Sequence, residues 1–401
     1  MTTTPAVDLP FLDITAPDFR FDSPAVAAAR EANWCAMTPM GLIVLRHAEM
    51  HQLLRDPRLA QSGERYLELM GISDGPLYDW FVPMILHQRG ADHLRLRRLV
   101  SKAFSPRMIE GLRPFMRDTA TSLTAAIAER GECEFMADFA DPMPVRVMCA
   151  LLGVPPTDYE LFRRWSTDVG LVYSFTLPQL RTRVEEAVVG LRAYVDSLIE
   201  QRRAEPRDDL LSALIAAEES GDRLSTEELR NLSLTLVFAA HDTTRNQLGQ
   251  ALATFSEYPD QWRLLAKRPE LAPQAVEEVM RWAPAVPTIF RFPVEDLDVH
   301  GVHVPAGTFL LLGTHAASRD PLAVDDGDRF DITIHRQVPH LTFGGGPHYC
   351  IGAPTARVEM AESLIALSSQ LAPPSIAGPV TWRPPTAIHG PENLPLRFGR
   401  R

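Results

Sequence analysis

Three successive glycines, a histidine and a cysteine fall within the run Phe343-Gly344-Gly345-Gly346-Pro347-His348-Tyr349-Cys350-Ile351-Gly352. Successive glycines let the backbone turn sharply and approach a flat ligand closely. Cys350 lies just before a helix that should open near Ala353. There it receives backbone N–H groups and the positive end of the helix dipole, and both favour thiolate over thiol. Such hydrogen bonds suit an axial iron ligand whose electron donation favours O–O cleavage. The plainer reading is a small buried apolar cysteine. A second constellation is His241-Asp242-Thr243-Thr244-Arg245-Asn246-Gln247, directly after an apolar run at 232–240. Polar groups at the edge of a buried stretch are costly unless satisfied or used. An acid beside an alcohol can move protons, although threonine also bonds back to the preceding turn. A third is His93 and Arg97, four apart on one helix face, which suit a carboxylate or are merely solvated.

These residues need rigid elements to position them. Ser225 and Glu228 match a capping box and Pro259 stops the pattern, so 225–257 is expected as one helix. At about 1.5 Å per residue it would run roughly 50 Å, longer than most globular helices. Its apolar centre places it through the interior. Other helices are expected at 25–33, 48–54, 93–104, 106–129, 180–204, 208–218, 259–268, 271–282 and 353–371. Strands are expected at 42–45 and within 288–314, where 298–300, 302–304 and 309–312 alternate with turn residues. The expected fold is mainly α with a small β region: an N-terminal tail at 1–20 and a single large domain at 21–401.

Net charge is −11, which disfavours nucleic acid as a partner. The exception is Arg95, Arg97, Arg98, Lys102 and Arg107, a basic stretch with no acid among them. The four cysteines (Cys35, Cys133, Cys149, Cys350) have no CxxC spacing, so neither structural zinc nor a disulfide framework is indicated. The first ten residues lack a secretory pattern, and no apolar run is long enough to span a membrane. A cytoplasmic location without a membrane partner is therefore expected.

Taken together, Phe343, Gly346, Cys350 and Gly352 resemble the haem-ligand loop of the cytochrome P-450 superfamily. Three further matches occur in the family's order: Glu278 with Arg281, the segment 239–244, and His93 with Arg97. The resemblance implies haem b with Cys350 as the metal ligand, shielded by Phe343. It implies that His93, Arg97, Arg291, His340 and His348 meet the haem propionates. It implies an Asp242–Thr243 relay delivering protons for oxygen activation. Glu278 and Arg281 are read as structural, with Arg329 or Arg336 as a third partner. The family commonly has Ala-Gly where this chain has Ala239-Ala240, and the added methyl would narrow the groove for oxygen and its water.

The implied activity is O2-dependent monooxygenation of a small apolar or aromatic organic substrate. No flavin or nicotinamide segment is read in the chain, so electrons are expected from a ferredoxin or flavodoxin with its reductase. An acidic carrier would be drawn to the basic stretch. The substrate pocket is expected from 61–88, 161–177, 236–240, 285–289 and 387–389. Tyr66, Leu69, Met70, Tyr78, Trp80, Phe81, Met84, Phe162, Trp165, Val172, Tyr173 and Phe175 are its candidate walls, and Arg65, Arg163 and Arg164 could meet an anionic group. A haem-thiolate peroxygenase, an oxidative-coupling enzyme and a non-catalytic haem protein are the competing readings. The intact Asp242–Thr243 pair favours dioxygen, while Ala240 keeps the peroxide alternative open.

Overall fold

Ser225 accepts a hydrogen bond from the N–H of Glu228, and the Glu228 carboxylate accepts one from the N–H of Ser225. This closed capping box starts the central helix, Thr226–Glu257, and a following helix at Pro259–Lys267 ends it. From Leu229 to Phe255 nearly every side chain is buried, so the helix crosses the interior as its apolar centre requires. The computed structural model describes residues 8–16, 18–174, 176–219, 224–383 and 387–399, without the side chains of residues 102, 103, 217 and 219.

Two large apolar clusters flank this helix. One gathers residues from Leu12 to Ala387, with Tyr66, Phe81, Phe162, Leu191 and Phe238 among them. The other joins Met116, Phe139, Phe255, Trp262 and Leu364. Helices at Pro24–Ala32, His47–Leu53, Gly90–Ala103, Pro106–Arg130, Leu177–Ala204, Leu210–Glu219, Ala272–Trp282 and Ala353–Gln370 follow the sequence-based pattern to within a few residues at each end. The helices Gly63–Leu69, Gly75–Phe81, Pro142–Leu152, Tyr159–Gly170 and Thr314–Ala317 were not expected from the sequence.

The largest sheet has five strands in the order Cys35–Thr38, Gly41–Val44, Leu310–Leu312, Ile289–Pro293, Leu59–Ala60. Gly41–Val44 runs parallel to Leu310–Leu312, and Ile289–Pro293 runs antiparallel to it, with Arg291 opposite Leu310. This pairing fixes Arg291 beside the Cys350 loop. In the N-terminal tail, Phe11 bridges to Met37 and Leu12 donates to the Met37 carbonyl, which ties residues 11–12 to the sheet edge. No helix among the described residues is long and apolar enough to cross a membrane.

Glu278 and Arg281 are both buried and form a two-pronged ion pair at 2.8 and 2.9 Å. Arg281 also donates to the carbonyls of Ser318, Gly327 and Arg329. Arg336 is the third ionic partner, 3.2 Å from Glu278, whereas Arg329 supplies only its carbonyl. This buried cluster clamps the helix Ala272–Trp282 to the chain that leads into the Cys350 loop.

Candidate active site

A cavity of about 370 Å³ lies between the central helix and the Cys350 loop. His93, Arg97, Thr243, Arg291, Phe343, His348 and Cys350 all line it. Asp242 and His340 do not.

The loop owes its shape to two left-handed glycines, Gly344 at φ +72° and Gly346 at φ +63°. Only Gly344 of the three glycines faces the cavity. A Cβ on Gly346 would come within 2.9 Å of the Leu54 carbonyl, and one on Gly345 within 3.3 Å of the Leu54 side chain. Two of the glycines therefore serve close packing against another segment, not approach to a ligand. Cys350 donates its backbone N–H to the Phe343 carbonyl at 2.9 Å. Its sulfur is met by the N–H groups of Gly352 and Ala353, as the helix start predicts. Burial outweighs them together with Arg97 and Arg357, and raises the thiol above its ordinary pKa.

His340 is turned away from the cavity. Its Nε2 lies 3.3 Å from Glu277, which also takes two hydrogen bonds from Arg357. Burial opposes ionisation of Glu277, but His340 and Arg357 hold it down at about 2. Arg357 in turn sits 4.5 Å over the Phe343 ring. His340 also packs directly against the Phe343 ring, with centroids 5.6 Å apart, and does not join the other bases.

Those bases form one edge of the cavity. The rings of His93 and His348 stack at 3.9 Å. Burial pushes His348 down to about 3, helped by His93, Arg291, Arg97 and His87, all of them bases. Burial also lowers His93, with Arg97 beside it, and lowers Arg291 to about 10. Arg97 donates to the Tyr349 carbonyl at 2.5 Å. Such a crowd of buried bases is unfavourable alone and is matched to anions.

On the opposite wall the Thr243 hydroxyl donates to the Ala239 carbonyl at 3.0 Å, back along its own helix. Ala239 and Ala240 face the cavity, so the Ala240 methyl does occupy this wall. Asp242 lies just behind, fully buried. One carboxylate oxygen accepts from Arg383 at 2.7 Å and the other from Asn246 at 3.1 Å. Neither contact was read from sequence. Glu359 was also missed: it lines the cavity, one carboxyl oxygen lacks a partner, and burial raises it to about 8.

The substrate walls differ from expectation. Of the named aromatic and apolar candidates among the described residues, only Met84 and Tyr173 line the cavity. Tyr66, Trp80, Phe81, Phe162 and Val172 are buried in the core, where Phe81 meets both Tyr66 and Trp80 and Phe162 packs on Trp165 and Tyr194. Phe175 lies outside the described residues. Leu236, Phe238, Ala285, Val286, Ile289, Ala387 and Ile388 line the cavity as expected, and Val147, Met148 and Leu151 add an unforeseen wall. Arg65 pairs with Glu68, and Arg163 with Glu160, away from it.

One cavity thus brings together a buried sulfur and four bases, the donor types a haem-thiolate group would need. The family model "Cytochrome P450" matches residues 159–367. The luteothin monooxygenase of Streptomyces thioluteus is 44% identical over 394 residues, covering 98% of this chain and 97% of that protein. The mycinamicin IV hydroxylase/epoxidase of Micromonospora griseorubida is 40% identical over 76% of this chain and 77% of its own length. The crystal structure of CalO2 superposes with a TM-score of 0.90 at 30% identity, covering 98% of this chain and 99% of that one. The chain belongs to the cytochrome P450 family of monooxygenases. Membership implies a haem cofactor, a small organic substrate, O2 and a redox partner. The donor set fits that cofactor: one cavity-facing sulfur for the iron and four bases for two carboxylates.

Proposed function

We propose that the chain holds haem b through the thiolate of Cys350 and inserts one atom of O2 into a small apolar or aromatic organic substrate. The balance is RH + O2 + 2 H⁺ + 2 e⁻ → ROH + H2O. The observation that carries it is the lining of a single cavity by the Cys350 sulfur, four bases and Thr243. His93, Arg97, Arg291 and His348 would neutralise the haem carboxylates, and Phe343 would cover the sulfur. When bound, the haem supplies the chemistry of dioxygen activation. The protein's part is to keep the site dry and bring protons. Thr243 positions a proton-carrying water at the cavity wall. Asp242 hands protons to it after leaving Arg383.

The apolar walls support an apolar substrate, and the relatives named for luteothin and mycinamicin IV support an organic one. Electrons come from a separate ferredoxin or flavodoxin with its reductase. Arg98 and Arg107, both exposed, are the described side chains of the basic stretch that support this docking.

Reduction of the purified protein under carbon monoxide tests the reading. A strongly red-shifted Soret band is expected, and Cys350→Ser should abolish it. A band typical of histidine-ligated haem, or no haem after expression with adequate supply, would refute the assignment.

A further inference from the structure

Two glycines stand against the acid Asp242 and its partner Asn246, and neither is there for its backbone. Gly170 closes the helix Tyr159–Gly170 at φ −58°, ordinary right-handed geometry where alanine is the better helix former. Gly390 is not among the positive-φ glycines either. What matters at both is the missing Cβ. One at Gly170 would lie 2.8 Å from Asp242 Oδ2 and 3.0 Å from its carboxyl carbon. One at Gly390 would lie 2.5 Å from Asn246 Oδ1 and 2.8 Å from Asn246 Cβ. All four distances are well inside the roughly 3.5–4.0 Å of ordinary contact.

The two glycines divide the restraints on Asp242 between them. The oxygen that Gly170 spares, Oδ2, is the one that accepts from Arg383 at 2.7 Å. The side chain that Gly390 spares, Asn246, donates to Oδ1 at 3.1 Å. The Gly390 carbonyl also accepts the backbone N–H of Arg383 at 2.9 Å, so Gly390 fixes the cation as well. Turning Asp242 away from Gly170 takes Oδ2 off Arg383, because one oxygen meets both. In the pose so held, Asp242 does not line the cavity.

We propose that Gly170 and Gly390 are positioning residues that lock Asp242 against Arg383 and so keep its protons from the cavity. This rests on the monooxygenase reading and adds a brake to its proton supply. A side chain at either site should open the lock. Without substrate, the freed acid then feeds the wasteful reaction O2 + 2 H⁺ + 2 e⁻ → H2O2, whose electrons come from the carrier.

The test uses the haem-loaded protein with ferredoxin, its reductase and NADPH in air, without added substrate. Gly170→Ala and Gly390→Ala should each release hydrogen peroxide about fivefold faster than the parent, the scale of one hydrogen bond given up. Arg383→Gln removes the cation without steric load and should do the same. Gly190→Ala is the control. Its Cβ would lie 2.7 Å from Trp165 Nε1, an equal crowding of Gly170's helix that does not touch Asp242, and the parental rate should persist. In the Asp242→Asn background Gly170→Ala should add nothing, because the acid it acts on is gone. The infrared carboxylate band that Asp242→Asn removes should shift in Gly170→Ala and stay in place in Gly190→Ala. An unchanged or lower peroxide rate in Arg383→Gln, or in either glycine variant that keeps haem, overturns the proposal. So does an equal rise in Gly190→Ala, a rise that survives in the Asp242→Asn background, or an unmoved band. Loss of the carbon monoxide band from both glycine variants overturns it too, since the glycines would then serve folding. A parent without that band would remove the monooxygenase reading itself.

Discussion

Asp242 is restrained through both carboxylate oxygens, so delivering protons requires it to exchange Arg383 for solvent or Thr243. Asp242→Asn keeps the shape and the Asn246 contact but cannot carry a proton. Product formation should fall by about a hundredfold, within the usual range for a lost acid–base group, while the carbon monoxide band is unchanged. Product measured against oxygen consumed checks this; an unchanged ratio and rate would show that another group supplies the protons. Glu359 is the neighbouring case with the opposite resting state. Its folded pKa of about 8 stands above the ordinary 4.5 because burial disfavours the charge. Between those values the unfolded carboxyl loses its proton while the folded one keeps it. The native state then binds more protons, and stability falls as pH rises through this window. Glu359→Gln removes the titration. The variant should gain on the parent as pH increases from 5 to 8, by up to about 3–5 kcal/mol at roughly 1.4 kcal/mol per unit. Melting temperatures of the holoprotein across that range provide the measurement. A difference independent of pH would contradict a neutral buried carboxyl.

The helix Ala272–Trp282 is held by Arg281, whose guanidinium satisfies Glu278 and three carbonyls. Arg281→Met fills similar space but leaves Glu278 with only Arg336 and the Asp331 N–H. Breaking one partner of a buried pair costs about 3–5 kcal/mol, so little folded haem protein should be recovered. Recovery at parental yield with an unchanged melting temperature would show the clamp to be dispensable. Glu278 and Arg281 were readable because a three-residue spacing on a helix makes them neighbours. The central helix was readable from Ser225, Glu228 and Pro259, which are local signals. Arg383 was not, since it meets Asp242 across 141 positions. Helix Pro142–Leu152 was hidden because Pro142 and Pro144 read as turn formers, although both are tolerated in a first helical turn. Glu359 looked like any helical acid, because its burial depends on how its helix packs. Aromatic richness located the cavity walls poorly for a related reason: Tyr66 and Phe162 pack against core just as well as against a ligand.

At the scale of the whole molecule, the surface charge differs from the sequence count. The chain is acidic overall, and the basic stretch from Arg95 to Arg107 is thinner than its composition implies. Arg95 is paired with Glu228 at the start of the central helix, and Arg97 turns inward to the cavity. Arg98 and Arg107 remain exposed on adjoining helices. Their helices also meet the Cys350 side: Arg97 reaches the Tyr349 carbonyl, and Arg113 and Arg117 bind Glu362 on the helix that follows Cys350. A negatively charged electron carrier arriving at this face would come close to the sulfur, and attraction would act mainly on the rate of encounter. The double variant Arg98→Glu/Arg107→Glu should therefore slow reduction by an acidic ferredoxin about tenfold at low salt. The deficit should shrink above roughly 0.5 M salt, where the screening length is only a few ångströms. Substrate affinity, read from the Soret shift, should stay at the parental value. Stopped-flow reduction across a salt series gives both comparisons. Equal rates in variant and parent at low salt would place the electron carrier on another face of the protein.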